Sequence, residues 1–148
     1  MNGHYAPRYR LSLVRETADD EPQPKLSSPA AARILAQRIL ADEPAEAMLA
    51  IYTDQRNRIV GTTIPYRGTI NRAAAEPRGI MVPGLLMNAA GFILAHNHPS
   101  GDPTPSADDI AFTKRLAQAG EIVGVLLVDH LIVAGPHQWT SLRELGAW

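Results

Sequence analysis

The sequence predicts a three-layer α/β domain, because apolar runs of strand length alternate with segments of helical periodicity along a chain of 148 residues. That length fits one domain, and chains of this size bury about two-thirds of their unfolded surface. Hydrophobic residues at 45% and charged residues at 20% are the proportions of an ordinary folded chain, which excludes fibrous classes and wholesale disorder.

Each element has a local reason. The first 29 residues hold four of the 12 prolines (Pro7, Pro22, Pro24, Pro29) and an acidic cluster of Glu16, Asp19, Asp20 and Glu21, so residues 1–26 read as a tail and linker. Within this tail Tyr9 to Val14 alternates polar and apolar residues with period two, which predicts one edge strand. A helix then starts with Ser28 as N-cap and Pro29 at the first helical position, shows Ile34, Leu35 and Ile39 on one face, and ends near Asp42 to Pro44.

Met48 to Thr53 is an apolar run of strand length, Asp54 to Asn57 is polar enough to turn, and Arg58 to Tyr66 is a second strand whose Pro65 marks an edge or an exit. Ile80 to Ala90 is helix-like, but Gly79, Pro83 and Gly84 predict a short or kinked helix. Phe92 to Ala95 is a short buried strand that runs straight into a proline-rich loop. Ser106 to Ala119 is a helix with Ile110, Thr113, Leu116 and Ala117 on one face and Gly120 as its stop. Ile122 to Val128 and Leu131 to Ala134 read as two strands broken at Asp129 and His130, followed by the Gly135-Pro136 turn and a last turn capped by Ser141.

Charge and composition narrow the function. With 14 Lys and Arg against 15 Asp and Glu the formal charge is -1, so the chain lacks the basic excess that drives non-specific phosphate binding. Cysteine is absent, which removes disulfides, a thiol nucleophile and every cysteine-containing zinc site. No apolar run approaches the roughly 20 residues that span a bilayer, and the start lacks the apolar core of a signal peptide, so no membrane partner and a cytoplasmic location are expected.

Three of the five histidines lie within 35 residues, and two form His96-Asn97-His98 at the end of an apolar strand. On an extended backbone residues i and i+2 face one side about 6.6 Å apart, so two imidazoles can converge on one ion. Asp109, in the first turn of the next helix, is a third ligand of the right type, with Asp108 as its rival. Two histidines and a carboxylate are a set used by catalytic zinc, which keeps a further position for water that loses a proton near neutral pH. A second reading stays open, since Ser106-x-x-Asp109 is also a variant of a helix capping box. The letters HNH are a weak nuclease signature here, because no ββα-metal pattern surrounds them.

The stretch HNHPSGDPTPSADDIAFTKRLAQAGEIVGVLLVDHLIVAG resembles the RadC-like branch of the JAMM (MPN-domain) metalloprotein superfamily. Its His-x-His-Pro, seven residues from the second histidine and Ser-x-x-Asp are matched by His96, His98, Pro99, Ser106 and Asp109. The similarity continues upstream through DQRNRIVGTTIPYRGTINRA and NAAGFILA. It implies a three-layer mixed-sheet JAMM/MPN (cytidine-deaminase-like) domain over residues 27–148. It further implies one zinc on His96, His98 and Asp109, Ser106 as the group that holds the oxyanion, and Glu46 as general base, with Glu43 as fallback.

The activity so implied is metallopeptidase or isopeptidase-like amide hydrolysis of a peptide or protein substrate. The alternative is an accessory DNA-repair-associated protein that binds a protein or DNA partner without turnover. Residues 1–28 hold nothing resembling the helix-hairpin-helix region of longer members, so a short form is expected. The family's His-Pro-Arg-Glu is replaced by Glu76-Pro77-Arg78-Gly79. Asp129-His130 and Arg67-Gly68-Thr69 also match the resemblance; His130 is either a residue that orients a ligand or a locally satisfied histidine, and Arg67 either holds a substrate carboxylate or is a surface arginine.

Overall fold

Ser28 opens the first helix as its sequence requires. Its hydroxyl accepts the Ala31 amide at 3.2 Å, and Pro29 takes the first position of α1 (Pro29–Leu40), where an amide would have no helical partner. The computed structural model describes residues 6–14, 16, 25–26, 28–41, 43–68 and 76–148. Asp19, Asp20, Glu21, Pro22, Pro24, Asp42 and Thr69 lie outside the described residues.

Two of the three large apolar residues that mark a face of α1 pack on the side it buries, and the third does not. Ala32, Ala36 and Leu40 are buried, with Leu35 and Ile39 beside them, whereas Ile34 is 58% exposed. Small alanines let the helix lie close on the sheet, and Ile34, two residues from each of them, falls on the far side of the helix.

Five strands follow: β1 (Ala47–Thr53), β2 (Ile59–Arg67), β3 (Gly91–Asn97), β4 (Leu126–Ala134) and β5 (Gln138–Ser141). Their order is β2-β1-β3-β4-β5, with β3 parallel to β4 and every other pair antiparallel, so the sheet is mixed. Pro65 lies inside β2, which is an edge strand and can spare the amide. The turn before it is fixed by Asp54, whose carboxylate accepts the amides of Arg56 and Arg58 at 2.8 and 2.9 Å.

Helix α1 covers one face of this sheet, and α2 (Arg78–Leu86) and α3 (Ala107–Val123) cover the other. The two apolar cores follow the strand alternation: Leu49, Ile51, Ile93, Ala95, Leu131 and Val133 face α1, while Met48, Ala50, Tyr52, Phe92 and Leu94 face α2 and α3. The three-layer α/β arrangement expected from the sequence is therefore what forms. Among the described residues no helix is long and apolar enough to cross a membrane.

Four local expectations are corrected. Tyr9 to Val14 forms no strand, and Tyr9, Leu11, Leu13 and Val14 are exposed; alternation alone forms nothing where no partner strand satisfies the backbone. Gly120 does not stop α3, which runs on to Val123 and ends at Gly124 with φ 80°. Asp129 and His130 do not break a strand but lie inside β4, one residue past a bulge where Phe92 pairs with Leu127 and Ile93 with Asp129. Before the final turn the chain also pairs as β5, after which the Ser141 hydroxyl accepts the Glu144 amide at 3.1 Å.

Gly120 has another purpose. A Cβ there would lie 2.5 Å from the Val125 carbonyl oxygen, so the glycine lets the chain leaving α3 cross against the helix.

Candidate metal centre

Strand alternation aims His96 at the α3 face, in line with Phe92 and Leu94, and the ring is wholly buried. His98 follows two residues later at the mouth of the loop, with its backbone amide bonded to the Val133 carbonyl at 2.8 Å. The two rings meet at their Nε2 atoms, 2.9 Å apart. Helix α3 brings the carboxylate: Asp109 Oδ1 lies 3.3 Å from His96 Nε2 and Oδ2 lies 3.4 Å from His98 Nε2. These contacts fall on Asp109.

The spacing tests whether a metal fits. Zinc–ligand bonds of about 2.0–2.1 Å in a tetrahedron set donor atoms about 3.3 Å apart. The separations of 2.9 Å between the imidazoles and of 3.3 and 3.4 Å from them to the two oxygens of Asp109 lie close to that edge, so the donor set suits one small divalent cation. Glu46 also belongs to the cluster, since it, His96 and His98 can each bring one donor atom within 4.8 Å of the others. Of the two carboxylates, Asp109 is the nearer to the imidazoles; Glu46 Oε1 stands 3.9 Å from His98 Nε2, farther off than a ligand edge.

The electrostatics favour a cation. The hydrogen bond to Asp109 raises the His98 pKa above its ordinary value, against the opposing effect of burial. Burial pushes the Asp109 carboxyl up, but hydrogen bonds from His96 and His98 outweigh it and hold the group well below the usual carboxylate range. A carboxylate placed to stabilise an imidazolium stabilises a divalent ion by the same field. His98 is also preset as a ligand: its Nδ1 lies 2.8 Å from the Asp102 carbonyl, which only accepts, so Nδ1 donates there and Nε2 is the atom left to face Asp109 and a cation.

Ser106 and Asp109 form a complete capping box. The Ser106 hydroxyl accepts the Asp109 amide at 3.0 Å, and Asp109 Oδ2 accepts the Ser106 amide at 2.8 Å. The cap and the metal reading coexist, because the same box orients the carboxylate toward the histidines. The Ser106 hydroxyl accepts in the cap, which leaves its proton free to donate.

Glu46 and Glu43 part company. Glu43 Oε1 is held by Arg67 Nε at 3.2 Å. Arg67 pairs with Ala47, whose side chain faces α1, so Arg67 and Glu43 lie across the sheet from the histidines. The reading of Arg67 as an anchor for a substrate carboxylate at this centre therefore gives way to an ion pair on the far face.

Asn97 and Thr113 carried no chemical role in the sequence reading, and the structure places them at the centre beside Gly68 and His130. Asn97, between the two histidines, turns its side chain the other way; its Oδ1 accepts the Ala47 amide at 2.7 Å and its Nδ2 donates to the Ala45 carbonyl at 3.0 Å, clamping both sides of Glu46. The Gly68 amide donates to the Glu46 carbonyl at 2.8 Å. His130, wholly buried with its pKa pushed well below the ordinary imidazole value by desolvation, places Nε2 2.7 Å from His96 Nδ1. Thr113 Oγ1 lies 2.6 Å from His130 Nδ1. Strand alternation is the signal for Asn97, and the four-residue step from Asp109 is the signal for Thr113.

The Gly79 departure has a packing reason. A Cβ there would lie 2.7 Å from the Tyr66 hydroxyl, which bonds the backbone of Glu76 in both directions. Tyr66 thus occupies the space that a longer residue would need.

Residues 26–147 match the family of the RadC-like JAB domain. A UPF0758 protein of Halorhodospira halophila is 45% identical over 138 residues, covering 92% of this chain and 61% of the relative. One from Latilactobacillus sakei is 43% identical over 120 residues, covering 79% of this chain and 53% of its own length, and one from Methanosarcina mazei is 33% identical over 138 residues, covering 93% and 60%. The chain thus spans between about half and three-fifths of the relatives it matches.

Proposed function

The chain belongs to the RadC-like JAB domain family, a group within a fold that includes metal-dependent hydrolases, and on this basis we propose that it is a zinc-dependent hydrolase of amide bonds in peptides or proteins. The observation that carries the reading is the convergence of His96 Nε2, His98 Nε2 and the Asp109 carboxylate at the spacing of a tetrahedral ligand set, with a second carboxylate standing just outside it.

His96, His98 and Asp109 would hold one zinc per chain. When bound, the ion supplies Lewis acidity and activates water near neutral pH. Glu46, 31% exposed at its side chain, accepts a proton at its carboxylate and returns it to the leaving amine. Asn97 and Gly68 hold the backbone on either side of that glutamate, so its carboxylate stays beside the imidazoles. Ser106 turns its free hydroxyl proton toward the oxyanion that forms as the carbonyl is attacked.

Metal content of the full chain by elemental analysis tests this reading, wild type beside His98→Ala. About one zinc per chain in the wild type, lost in the variant, supports the site and justifies assays with peptide and isopeptide-linked substrates. Wild-type protein that retains no zinc after it is added overturns the reading; Ser106 and Asp109 are then a helix cap, and the chain is a binding module for a protein or DNA partner.

A further inference from the structure

A chain of buried contacts runs from Asp109 back to His96, and the direction of every proton in it follows from chemistry. The Thr113 hydroxyl lies 2.5 Å from the Asp109 carbonyl oxygen. Two oxygens so close must share a proton, and the carbonyl has none, so Thr113 donates. A hydroxyl has one proton, so at its other contact, His130 Nδ1 at 2.6 Å, Thr113 accepts and the imidazole supplies the hydrogen.

His130 is wholly buried, and its ring bonds only a hydroxyl and another imidazole at these distances, which is no setting for a charged ring. Its single proton therefore sits on Nδ1 and its Nε2 presents a lone pair. His96 Nδ1, 2.7 Å away, must donate to it, which leaves Nε2, the atom that faces His98 and Asp109, as the only ring nitrogen of His96 that can bind a cation.

We infer that Thr113 and His130 are positioning residues that set the tautomer of His96, through the relay Asp109 carbonyl, Thr113 hydroxyl, His130 and His96. The inference rests on the metal-site reading for its purpose, since a His96 whose Nδ1 had to accept would have to keep its proton on Nε2 and could not bind a cation there. The relay starts on the backbone of one proposed ligand and ends on the ring of another, so the first turn of α3 presents a carboxylate and at the same time prepares an imidazole. Partners of this kind typically change metal affinity about 10–100-fold when removed.

The test uses the full chain, metal-free and labelled with 15N-histidine, and reads the tautomers of His96 and His130 from two-bond proton–nitrogen correlations. Both rings protonated on Nδ1 is the expected result; a His130 protonated on Nε2 overturns the relay. Zinc titration then compares Thr113→Val, which keeps the shape and removes the hydroxyl, with Thr113→Ser, which restores it. Affinity about 10–100-fold weaker in the valine variant and near wild type in the serine variant is expected. Unchanged affinity in Thr113→Val overturns the proposal. Should wild type bind no zinc, the metal reading fails, and the tautomers measured on the same protein still decide the relay on their own; should Thr113→Val not fold, they decide it again.

Discussion

Asn97 and Ala47 are joined across two strands by a hydrogen bond of 2.7 Å from the Ala47 amide to the Asn97 side chain. Because the other end of the same side chain binds the Ala45 carbonyl, the residue between the two histidines fixes the segment that carries Glu46. Asn97→Ala leaves a donor and an acceptor unpaired, a cost of about 1–3 kcal/mol each where they are buried. The expected outcome is retained zinc with hydrolysis reduced at least tenfold, read by elemental analysis and by turnover; turnover equal to wild type would detach Asn97 from the chemistry.

Glu46→Gln keeps the size of the side chain and removes the base. Zinc content should stay at the wild-type level while hydrolysis falls by about 10²–10⁴-fold, the range of general acid–base catalysis. Loss of metal in this variant would instead make Glu46 a ligand. Glu43→Gln, across the sheet beside Arg67, should leave turnover within about twofold.

Gly120 and Gly124 answer differently to substitution. Gly124 has φ 80° with open space around it, so Gly124→Asn, a residue that tolerates this conformation, should cost under about 1 kcal/mol. Gly120→Ala forces a methyl against the Val125 carbonyl and should cost about 1–3 kcal/mol or more, despite the better helix propensity of alanine. Urea unfolding of both variants separates the two roles.

Tyr52 gives a pH dependence. Its hydroxyl donates to the Ile80 carbonyl at 2.8 Å, and burial pushes the phenol up to about 12, against the opposing hydrogen bond with Thr63. The neutral form is the protonated one, so the raised folded value adds stability that is complete below pH 10 and is lost as pH rises from 10 to about 12. Two units correspond to about 2–3 kcal/mol. Thermal unfolding should show wild type losing that much more than Tyr52→Phe across this window, although the variant starts lower for want of the hydrogen bond.

Much of the centre was legible because its geometry is local. His96 and His98 share a side of one strand, and Ser106 and Asp109 share one helical turn, so spacing alone places them. Asn97 was hidden in the same tripeptide, since a pattern that counts two ligands treats the residue between them as a spacer. Thr113 and His130 depend on the packing of α3 against β4, which is a tertiary fact. Local signals misled where two causes share one residue type. Gly120 was read as a stop although its glycine is required by a crossing backbone, and Asp129-His130 as a break although the polar pair is buried beside a bulge. There Asp129 accepts the His130 amide at 2.7 Å and the Ser141 hydroxyl at 2.7 Å, so its polarity is satisfied inside the fold.

β3 is an interior strand, bonded to β1 on one side and β4 on the other, and the His98 amide extends the ladder to Val133. Local opening begins at rims and termini, and interior strands open last. His96 lies in, and His98 directly follows, a strand whose amides are expected to exchange with solvent more slowly than those of the edge strands β2 and β5. Fluctuations that loosen those margins are then expected to reach the pair of histidines last.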